Sequence, residues 1–464
     1  MKKILVVLML CSVFSSAQKN KDDLYGFNTN TLFIFLEVYD TNNLNLVTQI
    51  NPKVLRFPGG YGNFYHLNGV GYGFNYTEAI QKNSGDLPQR LKGLNRIIQR
   101  KNTKKNYLED FIYLAKQLGS KVIIDANILT ASFAETAKMI SKIQESGLKI
   151  RGVEIGSELY NASFSKSIDG AQYVELAREF TDKLSILHPE IDIAVVVAPL
   201  NRNYKRHDDW NNLLAAEDFY DAIIIHTYAK VIKGVDLEGK MIKEMPEHLN
   251  IKVAFDIYKA RILKFLYESY EKEIISYSQI FPKKPIWVTE WNLQMSKTTG
   301  NTMFQSLFVS AYILELLNND KLDVIELSIY HNLVGRDVSG SVFRNINKGL
   351  EIHSTFNSFK IIKKVFEKKM ISISRKKINE YCYEYLCLFQ DASEKYIWIN
   401  WSDQNININL TKEMKFSKID YFGEQLFSKN TEKGSLQYIE LKNNYTNMVT
   451  LSPYSVTIIE NIMK

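Results

Sequence analysis

The stretch "IRGVEIGSELY", residues 150–160, is a short apolar run that ends on a carboxylate. Ile150 to Ile155 has the β-branched, apolar make-up of a strand, and Gly156-Ser157 punctuates it just before Glu158. Alone, the window has two readings: a strand that runs out into a solvated loop, or a buried strand that delivers Glu158 to a site.

Seven other runs resemble it: "LYGFN" (24–28), "KVLRF" (53–57), "KVIIDAN" (121–127), "IDIAVVV" (191–197), "DAIIIHTY" (221–228), "PIWVTEW" (285–291) and "DVIELSIYH" (323–331). Most are apolar at successive positions, as in a parallel sheet buried on both faces. Helical periodicity fills the intervals at 107–119, 134–147, 171–187, 254–278 and 303–319. The first crossover, before Lys53, is shorter and its periodicity less clear. Eight strand–helix units predict an α/β fold, a (β/α)8 TIM barrel. The competing architecture, an open doubly wound sheet, needs a glycine-rich phosphate loop after the first strand, and "GFNTNTLF" (26–33) is not one.

Beyond Lys369 the texture changes to period-two runs such as "YIWINW" (396–401), "NININL" (405–410), "LQYIEL" (436–441) and "YSVTIIENI" (454–462), which predict an all-β sandwich. The expected organisation is a leader at 1–17, the barrel at 18–365 and the sandwich at 366–464. With 464 residues, 45% of them apolar, the chain can fill two cores, since single cores stop growing near ~300 residues. No low-complexity linker separates the two domains, so they are expected to pack together.

"MKKILVVLMLCSVFSSAQ" reads as an export signal: Lys2 and Lys3, an apolar Ile4–Phe14 segment, and Ser15-Ser16-Ala17 before a cut at Gln18. The apolar run is shorter than the ~20 residues of a membrane span, and Leu10 is too large for a lipid-attachment site at Cys11. The expected location is secreted or periplasmic, with no membrane span. The net charge of +7 falls to +5 once Lys2 and Lys3 leave with the leader. That mildly basic surface is compatible with an acidic polymer, but no basic stripe with interleaved aromatics points to nucleic acid. Cys382 and Cys387, five apart on a strand-like run, point to opposite faces and are not expected to pair. Seven scattered histidines without HxxxH spacing, and no CxxC, predict no metal site. No cofactor is expected, and the oligomeric state is not legible.

In a barrel of this kind the C-terminal ends of the strands build the site. Six of them end on polar or aromatic groups: Arg56; Asn127; Ser157 and Glu158; His226 and Tyr228; Glu290 and Trp291; Tyr330, His331 and Asn332. Glu158 and Glu290, on strands four and seven, face each other across the barrel. Two carboxylates ~5–5.5 Å apart are what a retaining glycosidase needs. One attacks the anomeric carbon; the other protonates the departing oxygen and then activates water. Arg56 is expected to keep Glu290 ionised and Tyr228 to orient it, while Glu158, as proton donor, needs a raised pKa. Strand alternation puts Trp287 and Trp291 on one side and Glu290 on the other, unless the strand end bends. Trp291, nearer the rim, is the better candidate to offer a face to a sugar.

The chain resembles glycoside hydrolase clan A, most closely the α-L-arabinofuranosidase branch and next the heparanase and β-glucuronidase branch. "VLRFPGG" (54–60), "YHLNGVGYG" (65–73), "VEIGSEL" (153–159), "IIHTY" (224–228), "WVTEWN" (287–292) and "LSPYSVTIIE" (451–460) carry the resemblance. It implies a carbohydrate substrate, with Glu158 as acid/base and Glu290 as nucleophile. Arg56, Asn127, Ser157, His226, Tyr228, Trp291 and Tyr330 are the candidate substrate-binding residues. One position departs: the usual Gly-Asn-Glu is Gly156-Ser157-Glu158, and that asparagine commonly holds the sugar 2-hydroxyl. The departure leaves a second class open, a carbohydrate-binding protein on a hydrolase scaffold. A barrel acting on phosphorylated metabolites fits poorly with export and with the lack of a glycine-rich loop after strands seven and eight. N-terminal sequencing of the exported protein is expected to begin at Gln18; an intact Met1 or a lipid on Cys11 overturns the leader.

Overall fold

The computed structural model describes residues 21–461 except 30–31, 61, 71–72, 74, 84–90, 94, 97–98, 100–105, 319–321, 336–339, 347–348 and 432–433; the leader lies outside them. Eight parallel strands close into a barrel: β1 Gly26–Asn28, β2 Val54–Phe57, β3 Lys121–Ala126, β4 Ile150–Ile155, β5 Asp192–Val196, β6 Ala222–Ala229, β7 Ile286–Leu293 and β8 Ile325–Tyr330. Each pairs with the next in sequence, and β1 closes the ring on β8 through Gly26–Ile329 and Phe27–Tyr330. All eight match runs read from the sequence, because a strand covered on both faces leaves an unbroken apolar signature.

The helices α1 Thr41–Ile50, α2 Leu108–Leu118, α3 Phe133–Glu145, α4 Gly170–Leu187 and α5 Lys205–Ala215 join β1 to β6 in turn. A long crossover then runs through α6 Ile251–Lys264, a π-turn at Phe265–Ser269 and α7 Tyr270–Ile280, and α8 Met303–Asn318 and α9 Thr355–Ile362 complete the ring. The sequence reading missed α5 because "KRHDDWNNLLA" is mostly polar and buries only Trp210, Asn211 and Leu214. Tertiary packing compensates: Trp210 stacks on Tyr173 with ring centroids 4.5 Å apart and donates its indole N–H to the Val196 carbonyl at 2.8 Å.

The C-terminal strands are β9 Met370–Asn379, β10 Cys382–Phe389, β11 Glu394–Asn400, β12 Ile406–Gly423, β13 Leu436–Leu451 and β14 Ser455–Asn461. They form one antiparallel sheet in the order β9-β10-β11-β14-β12-β13. Its inner face, including Tyr385, Cys387, Ile399 and Tyr421, joins the barrel's core. Its outer face, Cys382, Trp398 and Ile459, clusters with Ile408, Val449 and Leu451 from the far half of the long β12–β13 ribbon, which supplies the second layer. Cys382 and Cys387 therefore lie in different layers, both buried and unpaired.

Helix α8 sits between the two domains and is buried from Met303 to Leu317, as befits a helix apolar all round. Its one acid, Glu315, accepts from Arg375 Nη1 at 2.5 Å and Tyr385 OH at 2.6 Å, both on the sheet. Burial pushes the Glu315 carboxyl up to about 7 against the pull of Arg375. In the barrel floor a Cβ on Gly152 would lie 2.2 Å from the Trp287 ring and 2.8 Å from the Asp192 carbonyl. Gly152→Ala is therefore expected to destabilise the fold by ~1–3 kcal/mol through overpacking, measured by denaturant unfolding; an unchanged midpoint would show that the Trp287 ring can move aside.

Candidate active site

Two local irregularities aim the carboxylates. After β4 the chain turns left-handed at Gly156 (φ 76°), where a Cβ would meet the Leu159 side chain at 2.7 Å, and again at Glu158 (φ 48°). A glutamate in this region is uncommon, and the surroundings hold it there. The Asn63 side chain accepts from Ser157 N at 2.9 Å and donates to its carbonyl at 2.5 Å. On β7 the pairing with β6 slips between Val288 and Glu290, a bulge at Thr289. The bulge turns both Thr289 and Glu290 inward. Trp287 reaches across the barrel to Gly152, while Trp291 faces out. The regular alternation that pairs Trp287 with Trp291 does not survive it.

At the centre lies Arg56, fully buried. Its Nε and Nη2 each donate to Glu154 at 2.8 Å, Nη2 also reaches Asp125 at 3.2 Å, and Nη1 donates to Glu290 Oε1 at 2.9 Å. Asn28 Nδ2 donates to the same Glu290 oxygen at 3.3 Å, and Tyr228 OH donates to the other at 2.7 Å. His226 and His331 lie 3.8 and 3.5 Å from that second oxygen. Burial works to raise the Glu290 pKa, but His226, His331, Arg56 and the Tyr228 hydroxyl together hold it well below the ordinary carboxylate range. Asp125 goes the other way: burial, opposed by Arg56 and helped by Glu154 and Glu290, pushes it up to about 7.

Glu158 is the half-exposed member. Its Oε1 meets His226 Nδ1 at 2.9 Å, and His226 Nε2 contacts Thr289 Oγ1 at 3.2 Å, which donates to Glu154 Oε2 at 3.3 Å. Burial disfavours charge on His226, but Glu290 and the bonded Glu158 outweigh it and lift its pKa. Single ligand atoms of Glu158, His226 and Glu290 all lie within 4.8 Å of one another. This grouping was not expected from the spacing of the histidines and has the donor set of a cation site. Through Thr289, His226 also links Glu158 by hydrogen bonds to Glu154 in the Arg56 cluster. A cavity of ≈ 620 Å³ opens beside Glu158, His226 and Tyr228, walled by Tyr160, Arg202 and Lys230.

Several expectations are corrected. Arg56 does hold Glu290, but from behind, out of a substrate's reach. Asn127 is spent on its own turn: it donates to Tyr65 O and Thr130 Oγ1 and accepts from Leu129 N and Thr130 N, the Asx-turn role of an asparagine just past a strand. Ser157 is 4% exposed, its hydroxyl 3.5 Å from Arg56 Nη2, so it faces the buried cluster. Trp291 packs behind the barrel against Tyr312 of α8, with centroids 4.4 Å apart and the rings tilted by 35°, and offers no face to a ligand. Tyr330 is buried, its hydroxyl on the Gly340 carbonyl at 2.8 Å; the next residue, His331, turns into the site instead. Sequence reasoning overlooked Asn28, Asp125, Glu154 and Thr289. The available signal was an acid inside an apolar strand, as in "IIDAN" and "GVEIG".

Fold and site together define a (β/α)8 barrel with paired rim carboxylates and a C-terminal β-domain. Solved structures with this architecture include a family 51 α-L-arabinofuranosidase from Bifidobacterium longum, 12% identical with TM-score 0.66 over 96% of this chain and 97% of that one. An α-L-arabinofuranosidase from Thermotoga maritima, in complex with arabinose, is 14% identical with TM-score 0.64 over 96% and 97%. A 4-O-α-L-rhamnosyl-β-D-glucuronidase from Fusarium oxysporum 12S is 11% identical with TM-score 0.61 over 95% and 96%. At these identities the likeness is one of fold, and it spans both domains. No family model and no curated protein sequence matches the chain.

Replacing Arg56 by Met leaves Asp125, Glu154 and Glu290 buried without their cation, at an expected cost of ~3–5 kcal/mol. The sign with pH follows. In the variant these folded-state pKa values rise above their unfolded values, so the unfolded state loses protons first and stability falls as pH climbs. The deficit against wild type, read from urea unfolding, should be small near pH 4 and grow towards pH 7. A pH-independent deficit would deny the electrostatic role.

Proposed function

We propose that the protein is an exported retaining glycoside hydrolase acting on a polysaccharide or its fragments. The observation that carries this reading is the pair of carboxylate oxygens of Glu158 and Glu290 within 4.8 Å at the C-terminal rim of β4 and β7. That spacing fits double displacement, for which the carboxyl groups stand ~5–5.5 Å apart, whereas inversion needs ~6.5–9.5 Å. The two carboxylates differ as the mechanism requires. Glu290 is buried, kept ionised and oriented by Arg56, Asn28 and Tyr228, which suits a nucleophile. Glu158 is exposed to the cavity and linked to His226, which suits a group that gives a proton to the leaving oxygen and later takes one from water. Clan A neighbours support the same assignment by fold.

The two residues are expected to fail in different ways. Glu290→Ala should lower hydrolysis of every substrate by several orders of magnitude. Glu158→Ala should lose ~10²–10⁴-fold, and less for aryl glycosides with good leaving groups. Azide should restore Glu158→Ala with retained configuration and give the inverted product with Glu290→Ala, as product NMR reports. Full activity in both variants sinks the assignment. A wild type that binds glycans but cleaves none in a broad screen would instead favour a binding protein, the class that Ser157 leaves open.

A further inference from the structure

The cavity beside Glu158 carries more positive charge than a neutral sugar needs. Lys230 follows β6 directly and its ammonium lies 5.8 Å from the Tyr228 ring centroid. Among the described residues its side chain meets no hydrogen-bond or ion-pair partner. Arg202, which lines the same cavity, donates through Nη1 to the Val235 carbonyl at 2.6 Å and the Asp236 carbonyl at 3.4 Å; it has no carboxylate bonded to it among the described residues. The acids of this cavity are Glu158, committed to His226, and Glu273, which burial pushes up to about 7 despite Arg202. Burial and the nearby Arg202 depress the Lys230 pKa, with Glu158 opposing.

A second cavity of ≈ 370 Å³ shares Tyr228, Lys230 and Leu237 with the first, so the two form one cleft. Lys240, Lys243, Arg261 and Lys264 also line it; Lys264 pairs with Glu238 at 2.6 Å and Arg261 donates to the Val231 carbonyl, while Lys240 and Lys243 are exposed. Asp236 Oδ1 accepts from the backbone N–H groups of Glu238 and Lys240. Lys230 and Arg202, both half-buried and with no carboxylate bonded to them among the described residues, are unfavourably placed until a ligand brings the anion. A guanidinium and an ammonium lining one cavity supply the charge and the N–H donors that a carboxylate or sulfate takes.

Resting on the hydrolase reading, we propose that the substrate is an anionic saccharide whose uronate carboxylate or sulfate ester, on a sugar next to the scissile bond, is received by Lys230 and Arg202. The exposed Lys240 and Lys243 beside them extend the same preference along the chain of sugars.

The test is calorimetric binding to the full-length Glu290→Ala chain, which leaves the probe intact. The probes are oligogalacturonate, oligomannuronate and chondroitin sulfate oligosaccharides, each beside its carboxyl-reduced or desulfated counterpart. At least one acidic probe should bind, and its neutralised counterpart about tenfold or more weakly, a loss of ~1.4 kcal/mol. Which treatment abolishes binding tells carboxylate from sulfate. Lys230→Met and Arg202→Gln should weaken the acidic probe by a similar factor and spare the neutral one. Lys183→Met, a remote surface change, should leave both alone. Equal affinity for native and neutralised probes, equal loss with Lys183→Met, or no acidic ligand in the panel overturns the proposal; the first comparison requires no cleft variant to fold. Wild type that binds an acidic probe without releasing reducing ends supports the anion site and sinks the hydrolase reading. Hydrolysis of neutral polymers alone, unaffected by Lys230→Met, does the reverse.

Discussion

The buried guanidinium of Arg56 is the interaction on which the site depends. One cation on β2 is shared by carboxylates from β3, β4 and β7. Burying those charges is costly, and the mutual attraction offsets the cost only because every guanidinium nitrogen finds an oxygen. The cluster fills the upper barrel with polar atoms where most barrels place aliphatic layers. In return it fixes Glu290 in orientation and charge. Asp125, with its carboxyl pushed up to about 7, is the member that relieves the excess of negative charge.

Two breaks in regular geometry convert that scaffold into a site. The bulge at Thr289 sends two successive β7 side chains inward: Thr289 to His226 and Glu154, Glu290 to Arg56. The left-handed turn at Glu158 lifts the other carboxylate out of the plane of β4 towards the cavity. His226 connects them. The C-terminal sheet supports this arrangement from behind. It packs on α8, whose Tyr312 packs against Trp291, next to Glu290, and donates its hydroxyl to Tyr270 OH at 2.6 Å. The β-domain thus backs the rim, and among the described residues none of it lines the cleft.

The barrel was legible because eight runs buried on both faces leave a signal that no local context disguises. Helix α5 was not, since its polar face hides a periodicity carried by Trp210 and Leu214 alone. Among site residues, Glu158, Glu290, Arg56 and Tyr228 stood at strand ends, where an exposed-looking polar group interrupts an apolar run. Asp125 and Glu154 sit one or two residues deeper, and a single acid within a strand carries no mark of the cation that accepts it. Asn127 and Trp291 misled for the opposite reason: both stand at strand ends, and both spend their side chains on the framework.

What the sequence alone determined is the order and type of the elements and the two carboxylates at the ends of the fourth and seventh strands. These depend on local composition and on a period of two or 3.6 residues. Only the tertiary structure decided which polar side chains converge. Closure of the barrel brings Asn28 and Arg56, from distant parts of the chain, each to within 3.3 Å of the same Glu290 oxygen. It also decided their direction, because a one-residue bulge moves a side chain to the other face of a strand. That bulge arises from how β7 packs between β6 and β8, which no window of sequence contains.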